Sequence, residues 1–308
     1  MAIRSNIDLL MLFATIALFF LGISAIYSAS ANKAFALSSF AVRQLMWGGA
    51  SAVIYVIVLR IGYVRFLDFA GPLFALMMVV LILLLAVGYT SKGSQSWFNF
   101  GFIRVQPSEI GKVILALALA QICSKIPPTE IKGIAAAIGI GGVMIVLILL
   151  QPDLGSSLVY SVMLFAVLVA AGAPVKFLSG IVISILAMLP VAWMFLKPYQ
   201  KMRLMVFLDP TVDPQGAGYN VIQSRIAVGS GGLFGKGFLH GTQGKLHFLP
   251  EPHTDFIFSV FSEEFGFLGC LVVLALFTIL LLRMLKVAYY TRDTRGKLLS
   301  AGIVAWIW

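Results

Sequence analysis

Charge is what this sequence has least of. Only 11% of its residues are Asp, Glu, Lys or Arg, less than half the roughly 25% of a soluble domain. That scarcity excludes an ordinary globular protein with a water-facing surface to cover. Cysteine is nearly absent too: Cys123 and Cys270 both lie in apolar runs, read as small core hydrophobes, and support no redox inference. Histidine is limited to His240, His247 and His253, whose spacings fit no zinc signature. The short apolar–polar alternation of a membrane barrel is missing as well.

What remains is hydrophobicity, 60% of 308 residues. Uncharged apolar runs recur at Leu9–Ile26, Gln44–Leu59, Phe69–Tyr89, Gly133–Gln151, Leu154–Val175, Phe177–Leu196 and Phe265–Leu282. Each is near the ~20 residues that cross a bilayer as helix. The first exceeds a signal-peptide core and reads as a retained anchor. An eighth span, over 107–124, is argued below. The tail "LLSAGIVAWIW" begins a ninth but stops after eleven residues, too short to cross, so the C-terminal part of the bundle is expected beyond it. The expectation is an all-α, polytopic transmembrane bundle, a single integral membrane domain over 1–308.

Basic residues on the connections set the orientation. With the N-terminus cytoplasmic, the inner connections carry Arg4, Arg60, Arg65, Lys125, Lys132, Lys176, Arg283, Lys286, Arg292, Arg295 and Lys297. The short outer ones carry only Lys33, Arg43, Lys92 and Arg104. The net charge of +10 is thus a matter of membrane orientation and calls for no nucleic acid. One outer connection is out of proportion. Residues 197–255 run with little continuous hydrophobicity, where helical connections typically take 2–8 residues, and loops that long usually carry function.

Several motifs carry or fail chemistry. Val113–Ser124 is too short to span, so the fourth helix must reach back through "QPSEIGK" and take Glu109 and Lys112 with it. Ionisable groups at membrane depth face a bundle interior or an aqueous cavity, and spacing i, i+3 puts these two on one face. They read either as a structural ion pair or as the polar wall of a substrate cavity. Asp153, in "LLQPDLGSS", reads as a helix cap or a cavity residue. "GSGGLFGKGF" fails the phosphate-loop pattern, which needs glycine at Ser230 and a hydroxyl at Gly237, and reads as flexible loop. "SANK" matches S-x-x-K without the K-T-G that acyl-serine chemistry requires. In "FLPEPHTDFIFSVFSEEFG", His253 and Asp255 precede an apolar run and Glu263 and Glu264 lie within it. Asp255 is placed at the lipid–water boundary. A partly desolvated carboxylate there is a stronger base than one in water, while a helix N-cap is an equal alternative.

These residues resemble the SEDS family (shape, elongation, division, sporulation). "QPSEIGK", "QPDLGSS", "GYNVIQSRIAVGSGGLFGKG" and "GTQGKLHFLPEPHTDFIFSVFSEEFGFLG" are its motifs, in family order. "GTQGKLHFLPE", "QPDLG" and the short N-terminus are nearer the rod-shape branch than the division branch. The resemblance implies about ten membrane-spanning helices and a peptidoglycan glycosyltransferase acting outside the cytoplasmic membrane. Its substrate would be lipid II, an undecaprenyl-pyrophosphate-linked disaccharide pentapeptide, and its products glycan strands for elongation and cell shape. It implies a class B penicillin-binding protein as partner. It also implies Asp255 as the essential acidic residue, with Glu109, Lys112 and Asp153 at the substrate, joined by His253 and Glu264. The leaving pyrophosphate calls for positive charge, and Arg203, Arg225, Lys112 or a divalent cation such as Mg2+ are open sources. Two rivals are a flippase translocating lipid II and a scaffold recruiting a transpeptidase. A transporter's site belongs at the membrane midplane, whereas the ionisable groups here gather in one outer loop.

Overall fold

The structure, a computed structural model, describes residues 7–30, 40–91, 94–99, 101, 104–246 and 248–308. Arg4, Lys33, Lys92 and His247 lie outside them. In chain order the helices are α1 (Leu9–Ala29), α2 (Phe40–Ile61), α3 (Tyr63–Asp68) and α4 (Ala70–Val87). Strands β1 (Tyr89–Ser91), β2 (Ser94–Asn99) and β3 (Arg104–Val105) follow. Then come α5 (Pro107–Lys125), α6 (Ile131–Leu150), α7 (Leu154–Ala170), α8 (Val175–Phe195), α9 (Pro198–Leu208), α10 (Ala217–Ser230), α11 (Ile257–Tyr290) and α12 (Thr294–Ile307). Helices α1, α2, α4, α5, α6 and α11 are long and apolar enough to cross a bilayer, and α7 and α8 contribute shorter apolar stretches. Every expected span has its helix, and the protein is a multi-pass membrane protein.

Local chemistry explains the ends. Pro107 opens α5 at a position where its missing N–H costs nothing. Asp153 caps α7 by accepting from Ser156 N–H at 3.0 Å, and Asp293 caps α12 through Gly296 N–H at 3.0 Å. Three features escape a reading of hydropathy. Between α4 and α5 lies a small antiparallel sheet, ordered β1-β2-β3, with Tyr89 opposite Trp97 and Phe98 opposite Val105. The long connection at 197–255 is partly helical, holding α9, a 3-10 turn at Pro210–Val212 and α10. Helix α11 starts well before the expected apolar run and is interrupted at Gly266, whose φ of 63° and ψ of −164° are not helical.

The chain forms two compact units, one of Met1–Val56 with Ala187–Leu280, the other of Ile57–Leu186 with Leu281–Trp308. In the second, α5 is buried along most of its length, and α4, α6, α7 and α12 surround it. Between lipid-soluble helices close packing replaces the hydrophobic drive, so small residues sit at the crossings. Gly111 is one: a Cβ there would lie 2.2 Å from the Tyr160 hydroxyl, which donates to Ser108 C=O at 2.7 Å from a wholly buried ring. Gly302 of α12 faces Ala116 in the same way. The short tail therefore packs as a core helix, with Leu298 buried.

Candidate active site

The turn bearing Asp255 belongs to the first unit and is anchored on both sides. Before it, Leu249 is buried with Ala227 of α10 and Val260 of α11, and Ala29 and Phe256 pack against them. Ser224 and Ser259 hydroxyls, 2.7 Å apart, join α10 to the start of α11. Pro250 and Pro252 flank Glu251, which takes a left-handed φ of 49°, a strained conformation for a residue with a side chain. The result is a stiff turn that ends with Asp255 exposed. Among the described residues Asp255 makes no hydrogen bond or ion pair. At the start of α11, Ile257 N–H donates to Thr254 C=O, and Ser259 and Val260 N–H donate to Phe256 C=O instead. Asp255 is not a helix cap.

His253 is held separately. Its ring stacks on Phe40 of α2 with centroids 3.8 Å apart, and its Nε2 is 4.0 Å from Glu251 Oε2.

Eight residues beyond Asp255 the chain carries a buried carboxylate. Glu263 has no exposed surface, and its oxygens accept from Lys236 Nζ at 2.5 Å, Thr242 N–H at 2.9 Å, Thr242 Oγ1 at 2.7 Å and Gln243 N–H at 3.1 Å. Burying a charge is tolerable only when it is paired and its lone pairs are filled, and these donors meet both conditions. Glu264 is also buried; it accepts from the Ser28 hydroxyl of α1 and from Gly241 N–H. All these donors except Ser28 come from 236–243, so the two glutamates organise that stretch.

The glycines complete the arrangement. Lys236 and Gly237 N–H donate to Glu263 and Glu264 C=O, and Phe267 and Leu268 N–H donate to Gly232 and Leu233 C=O. Two backbones thus pair across the break at Gly266. A Cβ on Gly231 would fall 2.1 Å from Ser262 O, and one on Gly235 2.1 Å from Glu264 O. The flexible-loop reading of "GSGGLFGKGF" is corrected: its glycines allow close backbone approach, and the segment is pinned. Lys236 is absent from the expected site, and Glu263, a candidate to support or line the cavity, proves to be an anchor for the 236–243 stretch. The clue available in sequence was a lysine among glycines and an acidic pair ahead of a glycine, with nothing to say that they meet.

The loop's arginines are exposed. Arg203 lies over the Tyr199 ring at 5.9 Å. The Thr211 hydroxyl and N–H hold Asp209 below the ordinary carboxylate range against the effect of burial, with a smaller contribution from Arg225 on α10.

Glu109, Lys112 and Asp153 belong to the second unit. Lys112 Nζ lies 2.7 Å from Glu109 Oε1, with the lysine side chain 9% and the glutamate 52% exposed. The ammonium also sits 5.8 Å over the Trp306 ring of α12. The expected ion pair exists, and the lysine is its buried member. Asp153, besides capping α7, accepts from the Ser156 hydroxyl at 2.7 Å and from Gln106 Nε2 at 3.2 Å. Among the described residues no three of His, Cys, Asp and Glu come together as metal ligands.

Residues 8–308 match the model of the "Cell cycle protein" family, FtsW, RodA and SpoVE. The chain belongs to this family. It is the SEDS family whose motifs the sequence carries. Among relatives, the chain is 37% identical over 303 residues to the peptidoglycan glycosyltransferase MrdB of Escherichia coli K12, covering 98% of this chain and 81% of that one. It is 34% identical to the stage V sporulation protein E of Bacillus subtilis strain 168, covering 99% and 85%. Among solved SEDS-type structures, a chain of a peptidoglycan synthase complex that coordinates polymerization and crosslinking superposes with a TM-score of 0.81 at 28% identity, covering 98% and 84%. The rod shape determining protein RodA of Thermus thermophilus superposes at 0.70 and 26% identity, covering 98% and 82%.

Proposed function

We propose that this chain is a peptidoglycan glycosyltransferase that polymerises lipid II, with Asp255 as the general base. A sugar hydroxyl attacks the anomeric carbon of the lipid-linked donor. The new glycosidic bond forms as the bond to pyrophosphate breaks, and the hydroxyl proton passes to Asp255. A single displacement inverts an α-linked donor to a β-1,4 product. A hydroxyl is a weak nucleophile, so a carboxylate within hydrogen-bond reach is the group this step needs most.

The observation that carries this reading is the state of Asp255. It ends a rigid, anchored turn, is exposed, and is spent on no partner among the described residues, unlike Glu263, Glu264 and Asp153. The protein alone does not bury it, so desolvation falls to the bilayer interface and the bound substrate. His253 shapes the same turn through Phe40 and Glu251. Glu264 acts through Gly241, and Asp153, Glu109 and Lys112 are assigned to substrate binding. The departing pyrophosphate is met by Lys112, Arg203, Arg225 or a divalent cation such as Mg2+.

The distribution of Lys and Arg supports a cytoplasmic N-terminus and an extracytoplasmic 197–255 segment in the cytoplasmic membrane. That is the side on which lipid II and the growing wall are found. A polymerised strand must be cross-linked, and the likeness to a chain of a synthase complex supports a class B penicillin-binding protein as companion.

Polymerisation of purified lipid II by the full-length protein in detergent tests the reading. Asp255→Asn should stay folded and lose activity by on the order of 10²–10⁴. Wild-type-like glycan synthesis by that variant would remove Asp255 from the chemistry. Lipid II translocation in sealed vesicles, without strand formation, would favour the flippase.

A further inference from the structure

We infer that α9 lies flat in the membrane interface at the C-terminal end of α8, with its apolar stripe among acyl chains and its cations, Arg203 included, on the phosphates of anionic phospholipids, which leaves the pyrophosphate to Lys112, Arg225 or a divalent cation.

Geometry places it there first. Helix α8 has 21 residues, enough to cross the ~30 Å hydrocarbon core, and α9 begins at Pro198, after Leu196 and Lys197 only. Two residues span less than about 10 Å even when extended. Helix α9 therefore starts at the surface where α8 ends, and the exposed Met194 and Phe195 lead directly into it.

The pattern of α9 then decides its facing. Val206 is buried, 3% exposed, while Phe207 and Leu208 are 78% and 82% exposed. With i, i+3 and i+4 neighbours on one face, Leu204, Phe207 and Leu208 form a single outward stripe opposite Val206. Helix α10 and the 3-10 turn at Pro210–Val212 pack against α9, so the rest of the loop stacks on the other side. Such a stripe faces water only at a cost of order the whole transfer free energy of three large side chains.

Charge is the independent observation. Residues 197–208 hold Lys197, Lys201 and Arg203 and no acid. On the helix, Arg203 borders the stripe beside Phe207, and Lys201 borders it beside Leu208. Both cations lie over aromatic rings, Lys201 5.9 Å from Trp193 and Arg203 5.9 Å from Tyr199. Cations flanking apolar residues, with Trp and Tyr at the same level, are the composition of an interfacial helix. An anionic surface attracts each such Lys or Arg by on the order of fivefold in binding.

The test uses the full chain in nanodiscs, with Cys123→Ala and Cys270→Ala, and a fluorophore on Leu208→Cys. Brominated phosphatidylglycerol and brominated phosphatidylcholine are compared as quenchers at equal bulk fraction. Quenching by both, stronger for phosphatidylglycerol by about fivefold or more, is expected. Lys201→Gln with Arg203→Gln should bring that ratio near one while phosphatidylcholine still quenches. Absence of quenching by either lipid would overturn the placement. Equal quenching in the native sequence would overturn the anionic selectivity. Two further results would also sink the idea: displacement of phosphatidylglycerol by a small mole fraction of lipid II, which would give the cations to the substrate, or loss of all quenching on adding the transpeptidase partner, which would make the stripe a protein interface.

Discussion

Lys236 Nζ lies 2.5 Å from an oxygen of Glu263, a carboxylate with no exposed surface, across 27 residues of chain. The pair fastens the glycine-rich segment to the interrupted α11. Its members are not equivalent: the lysine is 31% exposed and the glutamate 0%.

Removing the lysine should therefore strand the glutamate. Lys236→Met is expected to lower stability by about 3–5 kcal/mol, read as thermal unfolding in detergent. Lys236→Met with Glu263→Gln should recover part of the loss, because the amide keeps an acceptor for Thr242 and Gln243. Equal losses in the single and double variants would mean that the ion pair adds nothing beyond the neutral hydrogen bonds.

Gly235 and Gly229 should respond to alanine with opposite signs. Gly235 has a φ of +82° and a Cβ would collide with Glu264 O, so Gly235→Ala should cost about 2 kcal/mol or more. Gly229 is a helical residue of α10 with nothing within 4 Å of its virtual Cβ. Gly229→Ala should be neutral or stabilise by up to about 1 kcal/mol. Both are measured by unfolding of the purified protein.

The Glu109–Lys112 pair should be asymmetric. Glu109→Gln leaves a lysine that is 9% exposed without its counter-charge, whereas Lys112→Met leaves a half-exposed glutamate. Glu109→Gln is thus expected to be the more damaging by ~1–3 kcal/mol, with the double variant recovering folding in part. Additive losses in a double-mutant cycle would point to separate roles, such as Lys112 contacting pyrophosphate.

Topology is tested by labelling. Gln215→Cys, on an exposed turn ahead of α10, should react with an impermeant thiol reagent in intact spheroplasts. Lys236 is a poor position for this purpose because its side chain holds Glu263. Labelling of Gln215→Cys only after lysis would invert the orientation and with it the proposed site.

Much of this protein is legible as sequence because a bilayer is an undemanding reader. A helix that must hide every backbone N–H and C=O from lipid needs only length and hydrophobicity, so the span-forming helices appear where the apolar runs stand. The Glu109–Lys112 pair is legible for a related reason. Its partners are one turn apart, and helix geometry brings them together without help from the rest of the fold. Asp153 was open between cap and cavity, and the cap is a local hydrogen bond that the structure displays. The helices within 197–255 were missed because their hydrophobic pattern is mixed: part of each faces protein, and α9 also turns large apolar residues outward.

What composition and spacing determined by themselves is the class of protein, the position of its spans, and an acidic residue at the mouth of α11. Those depend on interactions within a helix or between a segment and its solvent. Tertiary structure alone decided that Asp255 is without a partner among the described residues while Glu263 and Glu264 are buried, and that the glycine-rich stretch is pinned rather than loose. The same acidic side chain is a base, a cap or a buried anchor according to which donors reach it. Here those donors come from Ser28 and from residues 236–243, and only folding brings groups so distant in sequence within hydrogen-bond range.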